Sequence, residues 1–102
     1  MATLQHNVTT ETTKELVAIG DGVNATSILL TNKHDSFGVL VDLYLQSSCS
    51  TSKYYLLYQH LVEKGETVVL NHAHVGFNNR TGGFGLYIKL DKSYAAVDVL
   101  IK

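Results

Sequence analysis

The fold class this sequence predicts is all-β: an antiparallel sandwich, jelly-roll or immunoglobulin-like, of about seven strands. Three observations carry that expectation. β-Branched residues abound, with eleven Val, four Ile and ten Thr beside six Tyr. Such side chains suit a pleated, half-buried surface and lose rotamer freedom in a helix. Apolar residues alternate with a period of two in three separate stretches, and turn residues punctuate the chain with no helix-length segment between them.

The elements follow in order. At 102 residues the chain makes one domain. Residues 1–13 carry five threonines and only Leu4 and Val8 as sizeable apolar groups. Without a periodic face they read as an extended N-terminal arm that folding can do without, leaving 14–102 as the sandwich domain. The first strand, 14–19, stops at Gly20-Asp21-Gly22, and the second, 25–32, runs into the polar stretch 32–36. In the third, 38–46, Val39, Val41, Leu43 and Leu45 alternate with Leu40, Asp42, Tyr44 and Gln46. That pattern turns Leu43 toward a core. A polar Ser/Thr stretch, 47–52, precedes the fourth strand, 53–60.

The fourth strand has a competitor. Apolar residues are nearly continuous over 54–64, and a helix would gather Tyr54, Leu57, Tyr58, Leu61 and Val62 on one stripe. Three tyrosines and the strands on either side favour the strand. Glu63-Lys64-Gly65-Glu66 then turns the chain into the fifth strand, 67–71. Phe84, Leu86, Ile88 and Leu90 define the inner row of the sixth, 84–90, and Val97, Val99 and Ile101 that of the seventh, 95–101. The connection 71–83 holds two histidines, Phe77, Arg80 and three of the eight glycines. A loop that long in so small a domain is usually functional or mobile.

Composition excludes several classes. Eight basic and nine acidic side chains give a net charge of −1, which argues against nucleic acid as a partner. Cys49 is the only cysteine, so neither a disulfide framework nor a multi-cysteine zinc site exists within the chain. The N-terminus has neither a cationic region nor an apolar run, and no signal peptide is expected. Apolar runs such as Ile28-Leu29-Leu30 fall far short of the roughly 20 residues that cross a bilayer, so no membrane partner is expected. Sequons occur at Asn7, Asn24 and Asn79, at a frequency chance explains in a Thr-rich chain.

No motif specifies an enzyme, and no catalytic residue, metal or cofactor is expected. His72 and His74 have the i, i+2 spacing that puts both rings on one strand face. Zinc needs three or four ligands, and nothing in the spacing selects His60, His34, Asp91 or Cys49 as the others. Polar loop or interface histidines are the better reading. Cys49 has no neighbouring base in sequence. Gly82-Gly83-Phe84-Gly85 opens a strand rather than a helix, so its glycines serve a turn, a bulge or a close backbone approach, not a phosphate. Tyr44, Tyr54, Tyr58 and Tyr87 fall at positions of mixed or polar-face parity, where tyrosine serves a subunit or partner interface as well as a core rim.

The order of features resembles the small β-sandwich virion proteins of tailed bacteriophages. A polar arm and a short strand lead to Ala25-Thr26-Ser27-Ile28-Leu29-Leu30-Thr31-Asn32 and then to Gly38-Val39-Leu40-Val41-Asp42-Leu43-Tyr44-Leu45. The Tyr-rich Tyr54-Tyr55-Leu56-Leu57-Tyr58, the segment 62–70 and the final Ala96-Val97-Asp98-Val99-Leu100-Ile101 complete the likeness, which covers about residues 14–102. It departs from the pattern in having no proline and a longer loop at 71–83. The resemblance implies a non-enzymatic structural subunit, made in the host cytoplasm and carried on the capsid exterior as a decoration or cement protein. Its partners would be the major capsid protein or another virion protein, and further copies of itself as a trimer or dimer. Alternatives are a small head–tail or tail component, or a sandwich module binding a carbohydrate or small ligand. Leu4, Val8, Tyr54, Tyr58, His72, His74, Phe77 and Arg80 are the candidate partner-binding residues.

Overall fold

The computed structural model describes residues 4–9, 13–22, 25–47, 52–71, 79, 83–92 and 95–102. Eight strands are present: β1 (Leu4–Thr9), β2 (Thr13–Val17), β3 (Ile28–Asn32), β4 (Val39–Ser47), β5 (Tyr54–Val62), β6 (Thr67–Leu70), β7 (Phe84–Leu90) and β8 (Ala96–Ile101). They form two four-stranded sheets, one in the order β1-β8-β3-β6 and the other β2-β7-β4-β5, with every pairing antiparallel. That strand order is a jelly roll, two Greek keys folded face to face, and not an immunoglobulin arrangement.

One expectation is corrected. Residues 4–9, read from sequence as part of an arm outside the sandwich, are β1, and pair with β8 from Leu4 opposite Ile101 to Thr9 opposite Ala96. Val8 is 1% exposed and belongs to the core. It is therefore a packing residue, not an anchor for a partner. The row Leu4, His6, Val8 does alternate with Gln5, Asn7, Thr9, but a histidine and three polar neighbours disguise the period. The strand count rises from seven to eight for this reason.

The core lies between the sheets. Ile28, Leu30, Val41, Leu43, Leu86, Ile88, Leu90 and Val97 are all at zero exposure, and those of β4, β7 and β8 lie on the inner rows that alternation assigned to them. Burying each such side chain contributes about 1.5–3 kcal/mol. Gly85 sits where a Cβ would lie 3.0 Å from the Val17 carbonyl oxygen, so glycine is needed for the close approach of β7 to the irregular end of β2.

Two buried asparagines tie the loops to this core. Asn32, fully buried, donates through Nδ2 to the carbonyls of Phe37 and Val62, both at 3.0 Å, and its Oδ1 accepts the His34 amide at 2.9 Å. Its backbone oxygen accepts the Gly65 amide at 2.9 Å, where Gly65 holds φ +72°. Asn79 donates to the carbonyls of Ala18 and Phe84 at 2.9 and 2.8 Å, and its own carbonyl accepts the Gly20 amide at 2.8 Å. Both residues supply donors to carbonyls in loops and at strand ends. The sequon at Asn79 thus has its amide buried and occupied.

Candidate interaction surface

The outer face of the sheet β2-β7-β4-β5 carries a row of aromatic side chains across three strands, β7, β4 and β5. Even-numbered residues of β4 point outward, so Tyr44 lies on the outer face, where its neighbours cover it to 4% exposure, while Leu43 lies within. Strand register then places Tyr87 of β7 opposite Tyr44 on one side and Tyr55 of β5 opposite it on the other. The Tyr44 and Tyr87 rings stack with centroids 5.5 Å apart and planes 14° from parallel. Tyr55 tilts against Tyr44 at 5.6 Å and meets Tyr58 edge-on at 4.8 Å. Beyond Tyr87, Glu15 of β2 accepts the phenol proton at 3.1 Å, and Lys53 Nζ stands 5.0 Å from the Tyr44 centroid. Cross-strand aromatic pairs of this kind stabilise a sheet and leave polar groups available at its surface.

Burial raises the phenol pKa of Tyr44, with the neighbouring Tyr55 and Asp42 acting in the same direction. Tyr87 is raised likewise, first by burial and then by its hydrogen bond to Glu15. Both hydroxyls therefore stay protonated donors at neutral pH.

Strand β5 is the edge of this sheet, and most of its nine residues are exposed on both faces. Four of them are large and apolar: Tyr54 (56% exposed), Tyr55 (42%), Tyr58 (63%) and Leu61 (49%). A bulge interrupts its pairing with β4. Gln59 adopts φ +48°, and its amide donates to Asp42 Oδ1 at 2.6 Å. Bulges of this sort blunt an edge against continued strand pairing.

The opposite face, on the sheet β1-β8-β3-β6, is different in kind. A depression of about 550 Å³ lies over Gln5, Asn7, Leu29, Thr31, Asp98 and Leu100. Asn7 Nδ2 donates to Asp98 Oδ1 at 3.1 Å, and Lys33 Nζ stands 3.2 Å from the same oxygen.

Of the residues singled out from sequence, Tyr54 and Tyr58 fall on the exposed strand β5, and Tyr54 also packs edge-on against Phe84 at 5.7 Å. Leu4 pairs opposite Ile101 within the sheet. His72, His74, Phe77, Arg80 and Cys49 lie outside the described residues. The other metal-ligand candidates are placed apart. His34 Nδ1 accepts the amides of Ser36 and Phe37, each at 3.0 Å, Asp91 Oδ1 accepts the Leu40 amide at 2.9 Å, and His60 lies exposed on β5. Among the described residues, no three of His, Cys, Asp and Glu gather as a metal site. Tyr55 and Leu61 escaped the sequence reading. Continuous apolar character over 54–62 resembles a buried segment, and the bulge at Gln59 breaks the parity that would have placed them outside.

No family model matches the chain, and no curated protein matches it. Two solved structures resemble it in chain trace. The Drosophila melanogaster CENP-C cupin domain superposes with a TM-score of 0.43 at 9% identity, over 95% of this chain and 56% of that one. This chain thus spans little more than half the length of that structure. The Drosophila NLP core, described for pentamer formation and histone binding, gives a TM-score of 0.46 at 15% identity, over 98% of this chain and 92% of that one.

Proposed function

We propose that this chain is a non-enzymatic structural subunit, a decoration or cement protein of a tailed-phage virion that docks on the capsid exterior and reinforces contacts between capsid subunits. The observation that carries the reading is the tyrosine row on the outer face of the sheet β2-β7-β4-β5. Tyrosine offers wide contact area at small entropy cost and keeps a hydroxyl for hydrogen bonding, which is why it is enriched in protein interfaces. Repeated copies on a lattice make modest single contacts collectively strong. The capsid surface facing this row is the partner of the proposal.

Co-sedimentation with capsid particles that lack the chain tests it. Wild-type protein is expected to bind saturably, and Tyr87→Ser, in the row but away from β5, to weaken binding at least about tenfold. Equal binding by the variant contradicts the docking face. The depression over Leu29 and Leu100 favours a second reading, a module that binds a carbohydrate or other small polar ligand. Glycan binding abolished by Asn7→Ala, with no particle binding, would establish that reading instead.

A further inference from the structure

We propose that strand β5 is a self-association surface, where a second copy of this chain packs across a two-fold axis at Tyr58. The proposal rests on the structural-subunit reading only for its purpose; the contact itself is argued from β5.

Tyr58 is the middle residue of Tyr54–Val62. An antiparallel two-fold at that position sets Tyr58 against its own copy, and Leu61 of each copy against Tyr55 of the other. Five residues outward on either side, it sets Lys53 of each copy against Glu63 of the other. Lys53 and Glu63 are both exposed, and the nine residues between them carry no formal charge. The strip is thus apolar in the centre, positive at one end and negative at the other. That distribution is complementary to itself when, and only when, the two strands run in opposite directions.

Area agrees. Tyr55, Tyr58 and Leu61 at these exposures present about 300 Å² of side chain per copy, the apolar centre of a small, reversible interface. The Gln59 bulge bends the edge, so the copies meet side chain on side chain and do not extend a hydrogen-bonded ladder. An isologous contact of this kind closes at two copies, and does not propagate.

Sedimentation velocity of the purified full chain, without particles, tests the contact. A reversible dimer of twice the 11.2 kDa chain mass is expected in the micromolar range. Tyr58→Ser combined with Leu61→Ser should weaken it at least about tenfold, with the β-type circular dichroism and melting profile retained as the control for folding. Lys53→Glu and Glu63→Lys should each weaken association, and the two together should restore it. A chain that stays monomeric up to about 0.2 mM overturns the proposal, as does assembly beyond two copies or a double charge variant no better than the singles. Particle binding by a monomeric chain would leave the docking reading standing while this one falls.

Discussion

At the residue scale, Asn32 shows how a single polar residue holds two connections together. Its amide caps two carbonyls from the β3–β4 connection and the end of β5, and its oxygens receive amides from His34 and Gly65. Asn32→Ala leaves those two carbonyls without donors in a site closed to water, and is expected to cost about 2–4 kcal/mol in urea unfolding, more than its lost contacts alone. A loss below about half a kcal/mol would show that water or a local shift replaces the amide. Sequence could not foresee this role. Asn32 reads as a turn residue, while its partners lie 5 and 30 positions away and meet only in the fold. Leu43 and Ile88, by contrast, were legible from alternation alone, because a period of two fixes the face of every residue in a regular strand.

At the element scale, β1 carries a titratable side chain that links its packing to pH. His6 faces inward opposite Val99, and its Nε2 is buried without a hydrogen-bond partner. Burial lowers its pKa first, the Lys14 ammonium on β2 lowers it further, and a hydrogen bond with the Leu16 backbone opposes both in part. The folded value therefore lies below the unfolded value of about 6.5. As pH falls through that value the unfolded chain takes up the proton first. Stability contributed by neutral His6 is thus full above about pH 6.5 and is lost as pH falls toward the folded pKa. Urea midpoints taken between about pH 8 and pH 5 should fall more steeply for wild type than for His6→Phe. Parallel curves for the two proteins would show that His6 is not the group responsible. β5 teaches the complementary lesson. Its existence as a strand was legible, and so were Tyr54 and Tyr58 as interface candidates, but the exposure of Tyr55 and Leu61 was not, since a run of apolar residues implies burial until the sheet order places it at an edge.

At the scale of the whole molecule, a seven-strand sandwich was legible because three strands carry a clear alternation and turn residues bound the rest. The jelly-roll order was not, because it depends on β1 closing the sheet beside β8, and β1 shows only two aliphatic residues. Deleting residues 1–9 removes six paired positions and uncovers the inner row of β8. The truncated chain is expected to lose at least about 3 kcal/mol or to fail to fold, measured by thermal unfolding. Stability within about 1 kcal/mol of wild type would restore the reading of these residues as a dispensable arm. The same architecture leaves two unlike outer faces, one aromatic and one polar with a shallow depression, so that a subunit on a lattice can bind with one and present the other. The most direct test of the structural role is quantitative mass spectrometry of gradient-purified virions from the genome that encodes this chain. The chain is expected in intact particles at a fixed ratio to the major capsid protein, retained through salt washes that remove adventitious proteins. Its absence from purified particles, with expression in the infected cell, would contradict it.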